Sequence, residues 1–389
     1  MAPGPRTPSR ALRLPLYVGG LMGPFGTGIM TPMIPELRET FGVSTTVLGW
    51  SWALYLVPFA VLMLVSGTLS ERWGRRRTAR WTFALYALVT LFCAAAPGLG
   101  WFLIGRAMAG CLNAFFTPIL LAALADATPA ARLGAAVGVY AGFQSFGSGL
   151  APLTGGIAAD INWRWAFVLV AAVSFVLSLF PPPGEARAGS SPSVLGPLRQ
   201  LVQRPLLLLG LAAFAASFGP IGVGIVVGLE ARDGLELSGT VGGLVQVAGP
   251  LAAMWAGRPW GAVLDRFGGQ AAGVAAFAIC SALVAALAGA GTALMLAIGW
   301  AIAGFSTNFV VVSIQALAAQ AQPDNRAGAI SFVLAHRFMG HAVGALVWLP
   351  VYAASPNAAF YGSAVVGLAG MAAVGASGHG ARERGVAQQ

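Results

Sequence analysis

The sequence predicts an all-α integral membrane protein of twelve transmembrane helices, arranged as two pseudo-symmetric six-helix bundles. Three observations predict it. Only 9% of the 389 residues are charged and 57% are hydrophobic, against about a quarter charged in soluble domains, so most of the surface must meet lipid. Apolar runs of about 20 residues, the length that crosses a bilayer, follow one another along almost the whole chain. The longest polar interruption, PPPGEARAGSSPSVLGPLRQLVQRP (181–205), falls near the middle.

Taken in order, the apolar runs place helices at 16–34, 47–69, 78–96, 99–121, 133–158 and 163–181, then at 205–229, 239–262, 270–289, 291–320, 327–353 and 357–377. Ten or eleven spans also fit, because 270–320 is almost continuously apolar; twelve fits best. The organisation that follows is a cytoplasmic basic tail (1–15), an N-terminal bundle (16–181), a cytoplasmic linker (182–204), a C-terminal bundle (205–377) and a cytoplasmic tail (378–389). No small-residue cleavage site follows MAPGPRTPSRALR, so 16–34 is expected to be a first span and not a signal peptide.

Orientation follows from the basic residues, which collect on cytoplasmic loops. All 22 are arginine. With the N-terminus inside, only Arg38, Arg164 and Arg232 fall on outer loops; Arg106, Arg258 and Arg337 lie within spans, and the other sixteen sit on inner segments. A multi-pass protein of the cytoplasmic (inner) membrane with both termini in the cytoplasm is expected, its surroundings the lipid bilayer. The densest basic stretch, SGTLSERWGRRRTARW (66–81), is then an inner loop whose arginines meet anionic headgroups at about 1 kcal/mol each.

The net charge of +10 does not point to nucleic acid, since the arginines lie between apolar spans and not on a soluble face. Cys93, Cys111 and Cys280 all fall inside spans and form no pair suited to a disulfide or a metal. No nucleophile–base pair, metal-ligand cluster or phosphate-binding glycine loop occurs in a polar segment. No enzyme activity, catalytic residue, metal or cofactor is expected.

Four matches in order mark an internal duplication. GTLSERWG (67–74) recurs as GAVLDRFG (261–268), an offset of 194. At the same offset Gly110 meets Gly304, and Arg132 and Gly134 in RLGAA meet Arg326 and Gly328 in RAGAI. GPFGTG (23–28) answers GPIGVG (219–224), shifted by two more residues. Two homologous halves about an axis along the membrane normal, with a pathway between them, are the expected arrangement.

These residues resemble the major facilitator superfamily over nearly the whole chain, and within it the twelve-helix drug:proton antiporters. GTLSERWGRRR resembles the loop 2–3 signature G-x-L-x-D-R-x-G-R-R-R, with Glu71 where Asp is usual and Gly67, Arg72, Gly74 and Arg75 matching. GAVLDRFGGQ, holding Asp265 and Arg266, is its weaker copy without the trailing arginines. RAMAGCLNA (106–114) resembles the helix 4 motif R-x-x-x-G, Ala109 replacing a common Gln. Gly138, Gly147, Ala151, Pro152, Gly155 and Gly156 resemble the helix 5 antiporter motif G-x8-G-x3-G-P-x2-G-G, with alanine at one glycine position, and NWRWAFVL (162–169) resembles the opening of helix 6. The resemblance implies alternating access, export driven by proton entry, and a charge latch between the halves in which Glu71, Arg72 and Arg75 act with Asp126 as a partner for Arg75. The helix 5 glycines admit close backbone approach, and Pro152 can kink the span. Such a helix can seal a cavity and bend during switching.

Ionisable groups within the bilayer are costly and are functional candidates. Arg106 could bind substrate or assist proton transfer, or snorkel; Arg258, before Pro259 and Trp260, reads as snorkelling. On helix 11, Arg337 and His341 share a face and His336 points about 100° away, all roughly 14–21 Å into the bilayer. Either histidine could carry the coupled proton, or be a neutral side chain bonded to a neighbouring helix. Glu36, Glu39, Asp160 and Glu230 fall at outer helix ends, and no carboxylate is placed in mid-membrane. A pocket with arginine and histidine but no acid favours neutral or anionic molecules. Asn113, Tyr140, Gln144, Gln246 and Asn308, with Phe25, Trp52, Tyr55 and Trp300, could line its remainder, or pack in the core.

The expected function is export of a small organic molecule, neutral or anionic, in exchange for protons. An importer of a small anionic nutrient on the same fold, proton-coupled or facilitated, is the alternative. The implied partners are the substrate, protons and lipid; a monomer suffices.

Overall fold

The computed structural model describes residues 10–182, 202–255, 263 and 266–377. Most of the basic tail, most of the 182–204 linker, the 378–389 tail, Arg258 and Asp265 lie outside these residues. Among the described residues all regular structure is helical. The α-helices are α1 (Arg10–Gly28), α2 (Ile34–Phe41), α3 (Thr45–Trp73), α4 (Arg75–Ala94), α5 (Leu99–Asn113), α6 (Phe116–Asp126), α7 (Ala130–Ile161) and α8 (Arg164–Leu179). After the linker come α9 (Arg204–Phe218), α10 (Gly224–Leu229), α11 (Gly239–Trp255), α12 (Gly269–Ala286), α13 (Ala293–Ala321), α14 (Arg326–Ala354) and α15 (Pro356–Ser377).

Among the described residues six helical stretches are long and apolar enough to cross a membrane: Thr45–Trp73, Leu99–Asp126, Gly269–Gly289, Ala293–Ala321, Gly328–Ala354 and Pro356–Ser377. Helices succeed there because each satisfies its own backbone hydrogen bonds where no water can. Their outward faces carry exposed Val61, Ile104, Ile279, Ile298 and Val365, an apolar surface that water would penalise and lipid does not.

Three expected spans are interrupted, each at a proline. The 16–34 run ends at Gly28, passes through a 3₁₀ turn (Thr31–Met33) and restarts as α2, because Pro32 and Pro35 bring no N–H to an ongoing helix. The 99–121 run breaks between α5 and α6, where Pro118 has no N–H for the Ala114 carbonyl; Ser66 Oγ of α3 donates to it instead at 2.8 Å. The 205–229 run breaks after Phe218, ahead of Pro220, and the Ile221 N–H reaches back to the Ala216 carbonyl at 2.8 Å.

The sequence repeat is also a repeat of packing. Gly74 and Gly268, 194 residues apart, adopt φ of +84° and +78°, left-handed backbone that favours glycine. A Cβ on Gly110 would overlap the Tyr55 carbonyl, and one on Gly304 the Gly249 carbonyl. Both partners of that helix crossing are again 194 apart. Between the two parts of the chain, α7 packs along α11 and α3 along α14.

Candidate functional site

The first cluster forms where α1, α3, α4 and α5 meet. Because α1 stops at Gly28, the Gly26 carbonyl lies in its last turn without a helical partner. Arg106 Nη1 donates to it at 3.0 Å, and the guanidinium carbon stands 4.2 Å from the Tyr55 ring centroid. Asn113 Nδ2 donates to the Gly23 carbonyl (2.8 Å) and to Tyr55 Oη (2.6 Å), which lies 3.2 Å from Tyr86 Oη. Arg106 is 2% exposed, so it does not snorkel. Its Nε and Nη2, and Asn113 Oδ1, have no hydrogen-bond partner among the described residues. Tyr140 is buried against Gly20, and Gln144 Nε2 donates to Thr117 Oγ1 at 3.3 Å.

The second cluster is on α14, against α9 and α13. Arg337 lines a gap of about 10 Å³ with Ala213, Ala216, Val311 and Gln315, close to the smallest volume that admits one water. Its guanidinium carbon lies 5.8 Å from the Phe338 ring centroid, and its Nε has no partner among the described residues. His336 packs at a tilt against the Phe332 ring, 4.2 Å between centroids, beside Gly210 of α9. Nδ1 of each histidine faces the carbonyl four residues earlier on its own helix, at 2.8 Å for His336 and 3.3 Å for His341. Among the described residues neither Nδ1 reaches a neighbouring helix. A carbonyl can only accept, so Nδ1 is the donor and Nε2 the position free to gain a proton.

Two further bonds join α13 to α11: the Gln246 main-chain carbonyl accepts from Trp300 Nε1 at 3.0 Å, and Asn308 Nδ2 donates to the Ala253 carbonyl at 3.0 Å. The Gln246 side chain is buried, its Nε2 without a partner among the described residues. Trp300 stands 194 residues after Arg106, so an indole fills in the second half the place of the buried guanidinium in the first. The expected pathway residues thus fall into three separate groups.

At the end of α3 distal to α2, Arg75 Nε donates to Glu71 Oε1 at 2.6 Å, and Nη1 pairs with Asp126 Oδ2. Both carboxylates belong to residues 16–181. The latch expected between the halves is in this structure a clasp within the first of them, tying α3, α4 and α6. Arg72 is exposed, Gly67 makes only an ordinary contact with Pro118, and Arg266 lies beside Phe267. Arg75 is 4% exposed, whereas the Asp126 side chain is 55% exposed. Asp126→Ala is therefore expected to cost under about 1 kcal/mol. Adding Glu71→Gln leaves a buried cation unpaired, and the double variant is expected to lose about 3 kcal/mol. A double-mutant cycle on detergent-solubilised protein checks this; additive losses would contradict it.

Along α7, Gly147 lies against the Leu21 carbonyl of α1 and Gly155 against the Ile29 carbonyl just beyond it, and Ala151 Cβ lies 3.1 Å from the Cβ position of Gly28. The next positions face α11: Gly156 meets the Gly239 carbonyl and the Pro152 carbonyl meets Gly243. Gly138 is the exception, since nothing among the described residues lies within 4 Å of its Cβ position, nor of that of Gly142. The expected packing ridge stops short of it. α7 and α11 are in backbone contact at one end; toward the other, Ala136 and Tyr140 stay buried while Val137, Gly138, Val139 and Ala141 are exposed.

The closed end carries charges whose meeting has no local signature in the sequence. Arg38 Nη1 lies 2.9 Å from Asp233 Oδ2, and Arg232 Nη2 pairs with Glu36 Oε1. The Asp160 carboxylate accepts from Gly239 N (2.6 Å), Thr240 N (2.7 Å) and Thr240 Oγ1 (2.6 Å), capping α11 from across the interface. Tyr352 Oη donates to Glu230 Oε2 at 2.9 Å.

Buried cations inside an apolar helical bundle whose two parts close on each other at the α2 end mark a multi-pass membrane transporter. The chain belongs to the Major Facilitator Superfamily, whose sequence model matches residues 16–270. It is 26% identical over 193 residues to YceJ of Bacillus subtilis (strain 168), described as an uncharacterized MFS-type transporter; the match takes in 48% of this chain and 50% of that protein. It is 29% identical over 148 residues, 38% of this chain and 29% of the relative, to the puromycin resistance protein pur8 of Streptomyces alboniger. The chain thus spans half or less of the length of these relatives. A D-xylose-proton symporter structure superposes with a TM-score of 0.74 at 16% identity, over 94% of this chain and 96% of that one, a likeness of fold.

Proposed function

We propose that this chain exports a small organic molecule, neutral or anionic, across the cytoplasmic membrane by alternating access in exchange for protons. Twelve spans in two six-helix bundles (16–181 and 205–377) form the moving bodies. The observation that carries the reading is the state of α7, sealed against α11 at Gly156 and, among the described residues, presenting an uncontacted face at Gly138. One end shut and the other less tightly held is what a bundle that rocks about a central site requires. The arginine asymmetry assigns the Gly138 end to the cytoplasm, which favours an inward-facing reading. The helix 5 motif and the relative named for puromycin resistance favour export.

Arg106 and Arg337 supply positive charge without a carboxylate partner among the described residues, which favours anionic or neutral cargo over cations. Nε2 of His341 or His336 is the proton carrier best placed for exchange. The Arg75–Glu71–Asp126 clasp stiffens the cytoplasmic end. Everted vesicles energised with a pH gradient test the direction with a panel of neutral and anionic compounds. Accumulation that collapses with the gradient and is lost in His341→Ala supports antiport. Uptake only into intact cells would replace export with the import reading, which the unpaired guanidinium of Arg337 would equally serve.

A further inference from the structure

Four of the twelve acidic residues, Glu36, Asp160, Glu230 and Asp233, gather at the closed end with Arg38 and Arg232. The two ion pairs are reciprocal. α2 gives Glu36 and Arg38, and the turn at 230–234 gives Arg232 and Asp233. Each arginine crosses to the other part's acid, at sequence separations of 195 and 196. Arg38 and Arg232 are themselves 194 apart, the offset of the duplication. Asp160 adds a third crossing link by capping α11. The clasp at the other end lies wholly within residues 71–126, so the two ends are built differently. Only the pairs at the α2 end must part when the two halves separate there.

We propose that Glu36, Arg38, Asp160, Arg232 and Asp233 form the outer gate of the transport cycle, paired when that side is closed and released when it opens. The gate needs no particular cargo, but its assignment to the outer side rests on the orientation proposed above. The charged groups facing Glu36 are Arg232 and Asp233 from the 230–234 turn and Asp160 from α7. Burial pushes the Glu36 carboxyl above its ordinary range, and Asp160 and Asp233 add to this against the pull of Arg232 and a backbone hydrogen bond. For Asp160, burial would raise the carboxyl, but the bonds from Thr240 and Gly239 outweigh it and hold it below the ordinary range. The closed gate therefore binds a proton at Glu36 more tightly than the open gate, and closure strengthens as pH falls from neutral toward the ordinary carboxylate value. It weakens only at lower pH, where Asp160 protonates.

The test uses the full chain with Cys93, Cys111 and Cys280 replaced by alanine and Leu349→Cys added. Leu349 is fully buried against Gly49 at the α2 end of the α3–α14 contact. A membrane-impermeant maleimide applied to intact cells should label it poorly. Arg38→Ala with Arg232→Ala should raise labelling roughly tenfold, and Arg38→Asp with Asp233→Arg should restore protection, which a general loosening would not. Lowering the pH to about 5 should reduce labelling relative to Glu39→Cys at the same pH, and Glu36→Gln should abolish that reduction. Unchanged labelling in the double-alanine protein, or a charge swap as reactive as that protein, overturns the gate. So does equal reactivity in Glu39→Ala, a change at an exposed residue of α2. A rise confined to everted vesicles supports the gate and overturns the orientation instead.

Discussion

Gly156→Val is expected to abolish transport while leaving the protein folded and inserted. A Cβ at Gly156 would overlap the Gly239 carbonyl and press on the Gly239 and Gly243 backbones of α11. No flexible side chain is there to yield. The two helices must therefore move apart, taking the Asp160 cap with them. Overpacking of this kind costs about 1–3 kcal/mol, and against main chain the upper end applies. Charged to the closed state alone, about 3 kcal/mol lowers its population roughly 150-fold relative to the open one. Transport should fall about a hundredfold, and Leu349→Cys should become reactive in the same protein. Gly149→Ala is the control. Its Cβ would lie 3.6 Å from the Leu251 side chain, an ordinary contact, and it should transport normally. A Gly156→Val protein moving substrate at the parental rate would show that the α7–α11 contact does not have to close.

Arg106→Met is the second large effect, and its sign separates a structural role from a functional one. Removing the guanidinium forfeits the bond to Gly26, about 1.5–3 kcal/mol for a charged donor, and up to about 2 kcal/mol of cation–π attraction to Tyr55. It also removes a buried cation with no carboxylate partner, a desolvation penalty of several kcal/mol. These contributions nearly cancel. The methionine protein should denature within a few degrees of the parent, while transport of an anionic probe drops at least about a hundredfold. A large loss of thermal stability with residual transport would make Arg106 a strut for the end of α1.

The sequence announced the long helices well. The expected 270–289, 291–320, 327–353 and 357–377 runs correspond to Gly269–Gly289, Ala293–Ala321, Arg326–Ala354 and Pro356–Ser377, because hydropathy over about 20 residues is a local property. It was less informative at Pro32, Pro118 and Pro220. There a continuous apolar run is cut by a missing N–H whose lost partner, as at Ala114, is taken over by another helix. Of the candidate site, the family-derived pairing of Arg75 with Asp126 is present, but inside one half. The two α14 histidines bond their own helix, and Asn308 braces α13 against α11, roles that residue type does not disclose.

Composition, span length, the 194-residue repeat and the glycine spacing of α7 follow from the sequence by itself. Each is written in neighbouring residues or in a periodicity, and lipid leaves a helix as the only local solution for an apolar run. Which charges meet was settled by tertiary structure. Glu36 and Asp160 read singly as charges at outer helix ends, and Arg38 and Arg232 as outer-loop arginines. They become cross-links only because backbone contacts such as Gly156 on Gly239 bring the two parts of the chain together at that end. A pair 195 residues apart has no signature until the crossing of distant helices fixes the distance between its members.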